Sequence, residues 1–345
     1  MRRPGMAKLA EAAGVSVATV DRVLNGREAV TEATRSRVIE AALRIGHPAA
    51  ARLAGLGDAA RPEVRFGVVL HKQGQDFYKA FATELQRAVG EVGGVRGKLL
   101  LEFSASQAPS EMAGHLRAMA GRCDALAATA VNHPEVTTAV EEIRGSGIPV
   151  FSLLSDFGQG ARTGYIGLNN LKVGRTAGWI TALAAAPRGP GKVAIFVGGH
   201  RWHGHDLRET GFRSYLREAA STLEMLETFV NLETRQLTYE AVLALISRHP
   251  DLRGIYVAGG GMEGAITALR EADLTDQIVL VVSALTPDSR AGLAEGLVTM
   301  VIDTPLEKLC RDLFNQMSRV VLRPDGAADG VQHFLPPDIH LAESI

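Results

Sequence analysis

The side chains best able to do chemistry in this sequence fall into a few short constellations. His200, His203, His205 and Asp206 crowd into one stretch, and a hydrolytic zinc site could draw on such residues. Asp206 directly abuts His205, however, unlike the His-x-His-x-Asp run of metallo-hydrolases, and no second cluster of ligands accompanies it. A polar rim around a cleft is the preferred reading, with no metal. Gly259-x-Gly261-x-x-Gly264 has the literal spacing of a dinucleotide fingerprint, in which glycines let a pyrophosphate approach the backbone. The acid that should hold the ribose about 20 residues further on is missing, since that region reads Ser283-Ala284-Leu285. A bare glycine loop lining a cleft is the simpler account. Gly-x-Ser-x-Gly, Gly-x-x-x-x-Gly-Lys-Ser/Thr and His-Glu-x-x-His do not occur, so catalysis has no anchor and no cofactor is expected.

The elements that position these groups must be read from pattern and composition. The chain has 345 residues, is 46% hydrophobic and 22% charged, and carries a formal charge of −1, which excludes a disordered acidic chain or a wholly basic coat protein. With 2 cysteines, Cys123 and Cys310, neither a disulfide framework nor a four-cysteine zinc site can form, and a reducing cytoplasm fits. Met1-Arg2-Arg3-Pro4 lacks the apolar stretch of a secretory leader. Runs such as Ile148–Leu154 and Ile278–Val282 fall far below the ~20 residues that cross a bilayer, so no membrane association is expected.

Charge divides the chain. Residues 1–62 hold ten Lys and Arg against six Asp and Glu, a balance of +4 that leaves −5 for residues 63–345. A small module for a polyanion joined to a larger one is implied. Within the first, Leu9, Ala10 and Ala13 have helical spacing before Gly14. Ser16 can cap a second helix with Val20, Val23 and Leu24 on one face, closed by Asn25-Gly26. Thr31 can cap a third, carrying Val38, Ala41, Ala42 and Ile45 before Gly46 and Pro48. Two short helices around a Gly-Val-Ser turn, braced by a third, are the helix-turn-helix layout whose second helix enters the major groove of double-stranded DNA. Arg22 on that helix can pair bidentately with guanine, worth about 1–3 kcal/mol of discrimination, while Val17 and Ala18 offer apolar contact.

The string from Lys8 to Gly26, KLAEAAGVSVATVDRVLNG, resembles the signature of the lactose-repressor (LacI) family of transcription regulators. The resemblance implies that Val17, Ala18 and Arg22 read bases and that Thr19, Asn25, Thr31 and Thr34 hold phosphates, with Ser16 and Asp21 in the same DNA-binding set. Asp21 departs from the small polar residue usual there, and a carboxylate near phosphate is repulsive unless a donor answers it. The stretch His47-Pro48-Ala49-Ala50-Ala51-Arg52-Leu53-Ala54-Gly55-Leu56 keeps Ala-Arg and Leu of the family's hinge but lacks its Asn. A hinge helix ordered on DNA, with Leu53 or Leu56 wedged in the minor groove, and a plain linker are both open readings.

From Arg65 onward, short β-rich runs alternate with helical stretches: Phe66–Leu70, Leu99–Phe103, Asp124–Ala128, Pro149–Leu153, Lys192–Val197, Glu224–Val230, Gly254–Ala258, Ile278–Val282 and Thr299–Ile302. That alternation predicts an α/β fold of parallel sheets with ligands at the carboxyl ends of strands. The same stretch is similar to type I periplasmic sugar-binding proteins, the effector domain of LacI-type regulators. The likeness implies two lobes joined by three crossings, lobe one holding about 63–170 and a return near 305–328.

By the same resemblance Gln75, Phe77 and Tyr78 follow the first strand where aromatic rings cover a sugar; stacking is the preferred reading, and the start of a helix core is the alternative for the two rings. Arg208, in Arg-Glu-Thr-Gly-Phe, matches a sugar-contacting arginine, and Asp156 ends a strand loop. A guanidinium and a carboxylate each bind adjacent hydroxyls, though one ion pair bridging the lobes would use the same two residues. Trp202 and His205 are candidates for the cleft rim. Gly259-Gly260-Gly261 stands where relatives carry Asn-Asp, so one sugar-binding carboxylate is missing, for which Glu263 and Asp303 are the candidate substitutes; Gly260 would line the loop.

The expectation is therefore an α/β protein of two domains. Residues 1–62 form a LacI-type helix-turn-helix head with its linker, and residues 63–345 form a two-lobed, periplasmic-binding-protein-like domain. The function expected is that of a cytoplasmic, homodimeric, DNA-binding transcriptional regulator, a repressor, controlled by a sugar-like small-molecule effector. The alternative is a solute-binding or enzymatic protein whose helical head only assembles subunits.

Overall fold

The computed structural model describes residues 4–25, 30–50, 61–220, 222–323 and 330–345. Leu53, Leu56 and most of the candidate hinge lie outside the described residues. By internal contacts the chain divides into Met1–Val64 with Gly93–Gly97, and Arg65–Val92 with Lys98–Ile345.

In the first unit, α1 (Met6–Ala13) ends where Gly14 takes a left-handed conformation, φ 65°, which a residue with a Cβ adopts only at a cost. Ser16 then caps α2 (Val17–Leu24), its Oγ accepting the Thr19 N–H at 3.1 Å. The third helix, α3 (Glu32–Arg44), starts at Thr31 as expected, but without the expected cap: Thr31 Oγ1 donates to Thr34 Oγ1 at 2.9 Å instead of accepting a backbone N–H. Leu9, Val20, Val23, Val38 and Ala42 fill one small core. The Arg44 guanidinium, donating to the Ala12 carbonyl at 2.6 Å, ties α3 to the end of α1.

The second unit carries two sheets. One runs β12-β5-β4-β3-β1-β2, from β1 (Glu63–His71), β2 (Arg96–Ser104), β3 (Ala125–Ala128), β4 (Val150–Leu153), β5 (Gly164–Leu168) and β12 (Val331–Leu335). Its helices are α4 (Asp76–Val89), α5 (Pro109–Ala120) and α6 (Pro134–Gly145), with α12 (Leu306–Leu322) returning to it. The other runs β13-β11-β10-β9-β6-β7 with β8 also on β6, from β6 (Gly191–Val197), β7 (Leu223–Met225), β8 (Phe229–Val230), β9 (Leu252–Val257), β10 (Val279–Val282), β11 (Met300–Asp303) and β13 (Asp338–His340). Its helices are α7 (Asn170–Ala185), α8 (His203–Ala219), α9 (Arg235–Arg248), α10 (Met262–Glu271) and α11 (Pro287–Ala294). The pairs β1–β3, β3–β4, β4–β5, β6–β9, β9–β10 and β10–β11 are parallel, so their loops open on one edge of each sheet. Each lobe has its own apolar core, Val69, Leu116, Leu126 and Phe157 in the first and Phe196, Ile255, Ile266 and Leu280 in the second.

The chain crosses between the sheets three times, after β5, after β11 and after β12. Three strands, β5, β12 and β13, are not among those expected from the sequence, and one expected strand is divided. The first-lobe return extends to Leu335 rather than stopping near 328, because β12 adds to the sheet beside β5, and the chain then comes back through Pro336-Pro337 to lay β13 antiparallel on β11. The expected strand Glu224–Val230 is two short ones, β7 and β8, on successive parts of β6.

One close approach fixes much of the site. A Cβ at Gly174 on α7 would stand 2.0 Å from the Arg208 carbonyl oxygen, and one at Gly211 on α8 would stand 2.2 Å from that of Leu171. The two helices thus meet backbone to backbone, which places Arg208 against the amino end of α7. Among the described residues no helix is long and apolar enough to cross a membrane.

Candidate functional site

The post-strand loops of both lobes enclose a cavity of about 810 Å³, its open mouth included. Gln75, Phe77 and Tyr78 reach it from the amino end of α4, and Trp202, His205 and Arg208 from the start of α8. Gly260 and Glu263 come from the loop after β9 and the first turn of α10. These eight residues singled out in the sequence are brought to one wall or another of the same space.

Arg208 is held rather than neutralised. Its Nε donates to Asn170 Oδ1 at 2.7 Å and its Nη1 to the Ala258 carbonyl at 2.6 Å, and neither partner is charged. Asn170 is fixed in turn through its Nδ2, which donates to the Leu154 carbonyl at 3.0 Å. A guanidinium so oriented presents its remaining N–H groups to hydroxyl or anionic oxygen. Glu263 has the converse character: burial, with repulsion from Asp288 and Asp76 that Arg235 partly offsets, lifts its carboxyl above the ordinary range. Phe77 packs on the core of lobe two, and its ring stands edge-on to Tyr78 at 5.2 Å. Tyr78 is nearly buried, and its hydroxyl meets His71 Nε2 at 2.7 Å, so it serves the lobe core as well as the cavity wall.

Two expected contacts are elsewhere. Asp156 does not line the cavity, and it does not pair with Arg208. Arg162, six residues on, grips both of its oxygens, Ser152 Oγ adds a third bond at 2.6 Å, and the group is 4% exposed. Burial pushes its carboxyl up, but Arg162 and Ser152 bring it below the usual range. Asp303 also misses the cavity. Its Oδ1 accepts the N–H of Thr304 at 2.8 Å, and it is Thr304 and Ile302 on either side that face the space. Asp156 is satisfied by near neighbours in the chain, whereas Asp303 is turned to the backbone of Thr304 and Leu285, outside the cavity lining, and burial raises its carboxyl above the usual range.

The residue the sequence reading missed is Glu233, in the loop after β8. Its Oε1 accepts the Gly260 N–H at 3.2 Å, and its Oε2 accepts Lys72 Nζ at 2.7 Å and Gln107 Nε2 at 3.3 Å. His205 accepts the Gly198 N–H on Nδ1, at 3.1 Å, so the neutral ring carries its proton on Nε2, which faces Glu233 Oε1 at 3.6 Å. A Cβ at Gly259 would come within 2.5 Å of His205 and 3.0 Å of Glu233 Oε1. The glycine run is therefore the room that a carboxylate from another loop occupies, and Glu233, not Glu263 or Asp303, stands beside Gly260. The triple glycine was the signal in the sequence. The chain cannot advertise in one dimension which side chain will fill the gap.

His200, Asp206 and Glu209 bring three potential metal-ligand atoms within 4.8 Å of one another, apart from His205, which turns inward. His200 and Asp206 are exposed, and Glu209 is already held by Arg213 Nε at 2.7 Å.

The first unit offers a second candidate surface. Ser16, Val17, Ala18, Arg22 and Asn25 are exposed along α2, and Thr19 and Asp21 are half-buried. Asn25 Nδ2 donates to Asp21 Oδ1 at 2.8 Å, so the carboxylate that departs from the family pattern has a neutral donor one turn away. Thr31 and Thr34 lie at the start of α3.

Residues 66–322 match the model of the periplasmic binding protein domain, and residues 6–47 that of the bacterial regulatory proteins, lacI family. The chain belongs to the LacI family of regulators. The periplasmic binding protein domain accounts for most of its length. No curated protein matches it. Among solved structures, GanP, a glucose-galactose binding protein from Geobacillus stearothermophilus, is 19% identical over 83% of this chain and 99% of its own, with a TM-score of 0.72. An ABC transporter solute binding protein from Agrobacterium vitis bound with alpha-D-tagatopyranose is 18% identical over 81% and 95%, with a TM-score of 0.73. One from Bacillus halodurans C-125 with bound myo-inositol is 15% identical over 82% and 96%, with a TM-score of 0.70. At these identities the likeness is one of fold.

The cleft of this LacI-family regulator has a pH signature. Burial drives His71 and His205 down to about 4 from the 6.5 of an exposed histidine, against the opposing pull of Glu233. Burial pushes Glu233 up, but its cationic neighbours prevail and hold it near 2, with Lys72 the partner that is charged at neutral pH. The unfolded chain therefore binds more protons than the folded one. The histidines' contribution is complete above about pH 6.5 and is lost as pH falls toward 4, where the loss from Glu233 begins. Stability should fall by about 3 kcal/mol between pH 7 and pH 5 from the two histidines alone. Urea unfolding across that range checks this, and a flat midpoint would show that the two rings are not held neutral by the fold.

Proposed function

We propose that this LacI-family regulator works as a cytoplasmic homodimer, a repressor whose affinity for a palindromic operator is set by a monosaccharide or polyol in the cleft. It catalyses no reaction and needs no membrane. Residues 1–62 form the reading head with its linker, and residues 63–345 the effector domain. Arg22 pairs with guanine, Val17 and Ala18 touch base edges, and Ser16, Thr19, Asn25, Thr31 and Thr34 line the phosphates. The homodimer follows from the mechanism, because one short helix buries little DNA surface, whereas two heads on two half-sites roughly combine their free energies.

The observation that carries the effector assignment is Arg208, an oriented guanidinium with neutral partners, in a space that also holds Glu263, Phe77 and Trp202. A ring bearing hydroxyls on its edge and C–H groups on its faces satisfies all three. The sugar- and inositol-bearing structures of like fold support the same class. An effector that prefers one lobe arrangement shifts operator affinity reciprocally, typically by about 1–3 kcal/mol.

The test is to select a binding site from random-sequence DNA and titrate it with the full-length protein, with and without a panel of monosaccharides and polyols. A selected palindrome whose retardation changes with one neutral sugar is the result expected. Failure to retard any duplex at low salt would favour a solute-binding protein with an assembly head.

A further inference from the structure

Besides the Asn132 N–H to the Arg201 carbonyl at 2.8 Å and the Gly204 N–H to Ser155 Oγ at 3.0 Å, a group of cross-lobe hydrogen bonds meets at one residue that the effector reading does not use. Lys72 and Gln75 follow β1 and Gln107 follows β2, in lobe one, whereas Leu232 and Glu233 follow β8, in lobe two. Lys72 Nζ donates to Glu233 Oε2 at 2.7 Å and to the Leu232 carbonyl at 2.9 Å. Gln75 Nε2 donates to the Glu233 carbonyl at 2.9 Å, and Gln107 Nε2 to the Glu233 carboxylate at 3.3 Å. Gln107 also accepts the indole N–H of Trp202, from lobe two, at 3.2 Å. The ion pair is largely dry, its side chains 17% and 9% exposed.

We infer that the Lys72–Glu233 ion pair is a latch that holds the two lobes together without an effector and thereby sets how much effector the regulator needs. Three observations beyond the bonds themselves point there. Lys72, Leu232 and Glu233 all have left-handed backbones, φ 53°, 50° and 56°, although none is glycine. Such conformations persist where the surroundings over-determine them, and here both strained loops meet at the pair. Asn231 pins the loop from within lobe two, its Oδ1 accepting the Glu233 N–H at 2.8 Å while its Nδ2 donates to the Gly260 carbonyl at 2.9 Å. Lobe two is also carved around the carboxylate: a Cβ at Gly198 would stand 2.4 Å from Glu233 Cγ.

Both oxygens of Glu233 are occupied by protein donors, Oε1 by Gly260 of its own lobe and Oε2 by Lys72 and Gln107 of the other, so the carboxylate is spent within the protein and not on a ligand. A buried ion pair with its hydrogen bonds complete resists separation, since parting the lobes leaves either charge poorly solvated in a strained loop. Joining the lobes in advance removes part of the conformational cost that otherwise weakens apparent effector affinity. This last consequence rests on the cleft being the effector site; the latch itself does not.

The experiment reads the lobes directly, in the full-length protein with neither DNA nor sugar, so its failure and the failure of the regulator reading are separate. Spin labels on Glu141→Cys in α6 and Ser247→Cys in α9, both exposed positions, report the interlobe distance by pulsed electron resonance. The parent should give one short-distance population. Glu233→Gln, nearly isosteric, and Lys72→Met should each raise the longer-distance population at least tenfold, and Lys72→Met with Glu233→Leu should restore much of the short one by apolar contact. Distance distributions identical to the parent in folded Glu233→Gln and Lys72→Met would overturn the latch. So would failure of both single variants to fold, because a latch between lobes with separate cores is not required for either core.

Discussion

Replacing Arg208 with alanine should lower effector affinity at least 100-fold, about 3 kcal/mol or more, while leaving effector-free binding to the operator intact. The guanidinium is poised by Asn170 Oδ1 and the Ala258 carbonyl, so the parent enters binding with its donors already aimed. Truncation removes the charge-assisted bonds to ligand oxygen and also strands two acceptors in the cavity wall, and both losses fall on the bound state. Arg208→Lys keeps the charge but not the planar fork. It cannot reproduce the two directed bonds together, and a loss of at least tenfold is expected. The measurement is calorimetry with whichever monosaccharide or polyol stabilises the parent in a thermal-shift panel, alongside operator titrations without it. Undiminished affinity in the alanine variant would remove Arg208 from the site. Loss of operator binding without effector would show instead that the close α7–α8 packing at Gly174 had been disturbed.

The parts of this molecule that were legible in its sequence are those governed by near neighbours. The Gly14 stop and the Ser16 cap depend on residues a turn away, and the first two helices lie where those residues put them. The nine strand runs read from apolar patterning correspond to real strands, apart from the division at Leu226–Thr228. The strands that were missed are of another kind. Gly164–Leu168 carries two glycines in five residues, Val331–Leu335 is half-exposed at a sheet edge, and Asp338–His340 exists only because the chain returns across both lobes. Edge strands are defined by what they pair with, not by their own hydropathy.

The cleft follows the same division. That cavity-facing residues sit after strands follows from parallel topology, which is why Gln75, Trp202, Arg208 and Glu263 gather in one space. Asp156 was misread because a carboxylate after a strand looks the same whether it awaits a ligand or Arg162. Glu233 was passed over for the opposite reason. Its sequence neighbours, Asn231-Leu232-Thr234, give no hint, and its role comes from Lys72 some 160 positions away together with space left by Gly198 and Gly259.

Arg22→Ala should erase operator discrimination while leaving the head folded. Among the described residues Arg22 makes no hydrogen bond or ion pair, and it stands exposed on α2 opposite the buried Val20 and Val23. Its loss should therefore cost the three-helix core within about 0.5 kcal/mol. On DNA a bidentate pair with guanine discriminates by about 1–3 kcal/mol in each half-site, so a symmetric dimer should lose roughly 10²–10⁴ in preference for its operator over a base-substituted one. Ser16→Ala provides the contrast. Removing the hydroxyl that accepts the Thr19 N–H should destabilise the head by about 1 kcal/mol and weaken binding to all sequences alike, because a frayed α2 misplaces every contact without changing which base is preferred. Titrations of both variants against operator and substituted duplexes, with melting followed by circular dichroism, separate reading from scaffolding. An Arg22→Ala protein that keeps the parent's sequence preference would mean that α2 does not read bases through this guanidinium, and the specificity would then have to come from the apolar edge of Val17 and Ala18 or from the shape of the DNA.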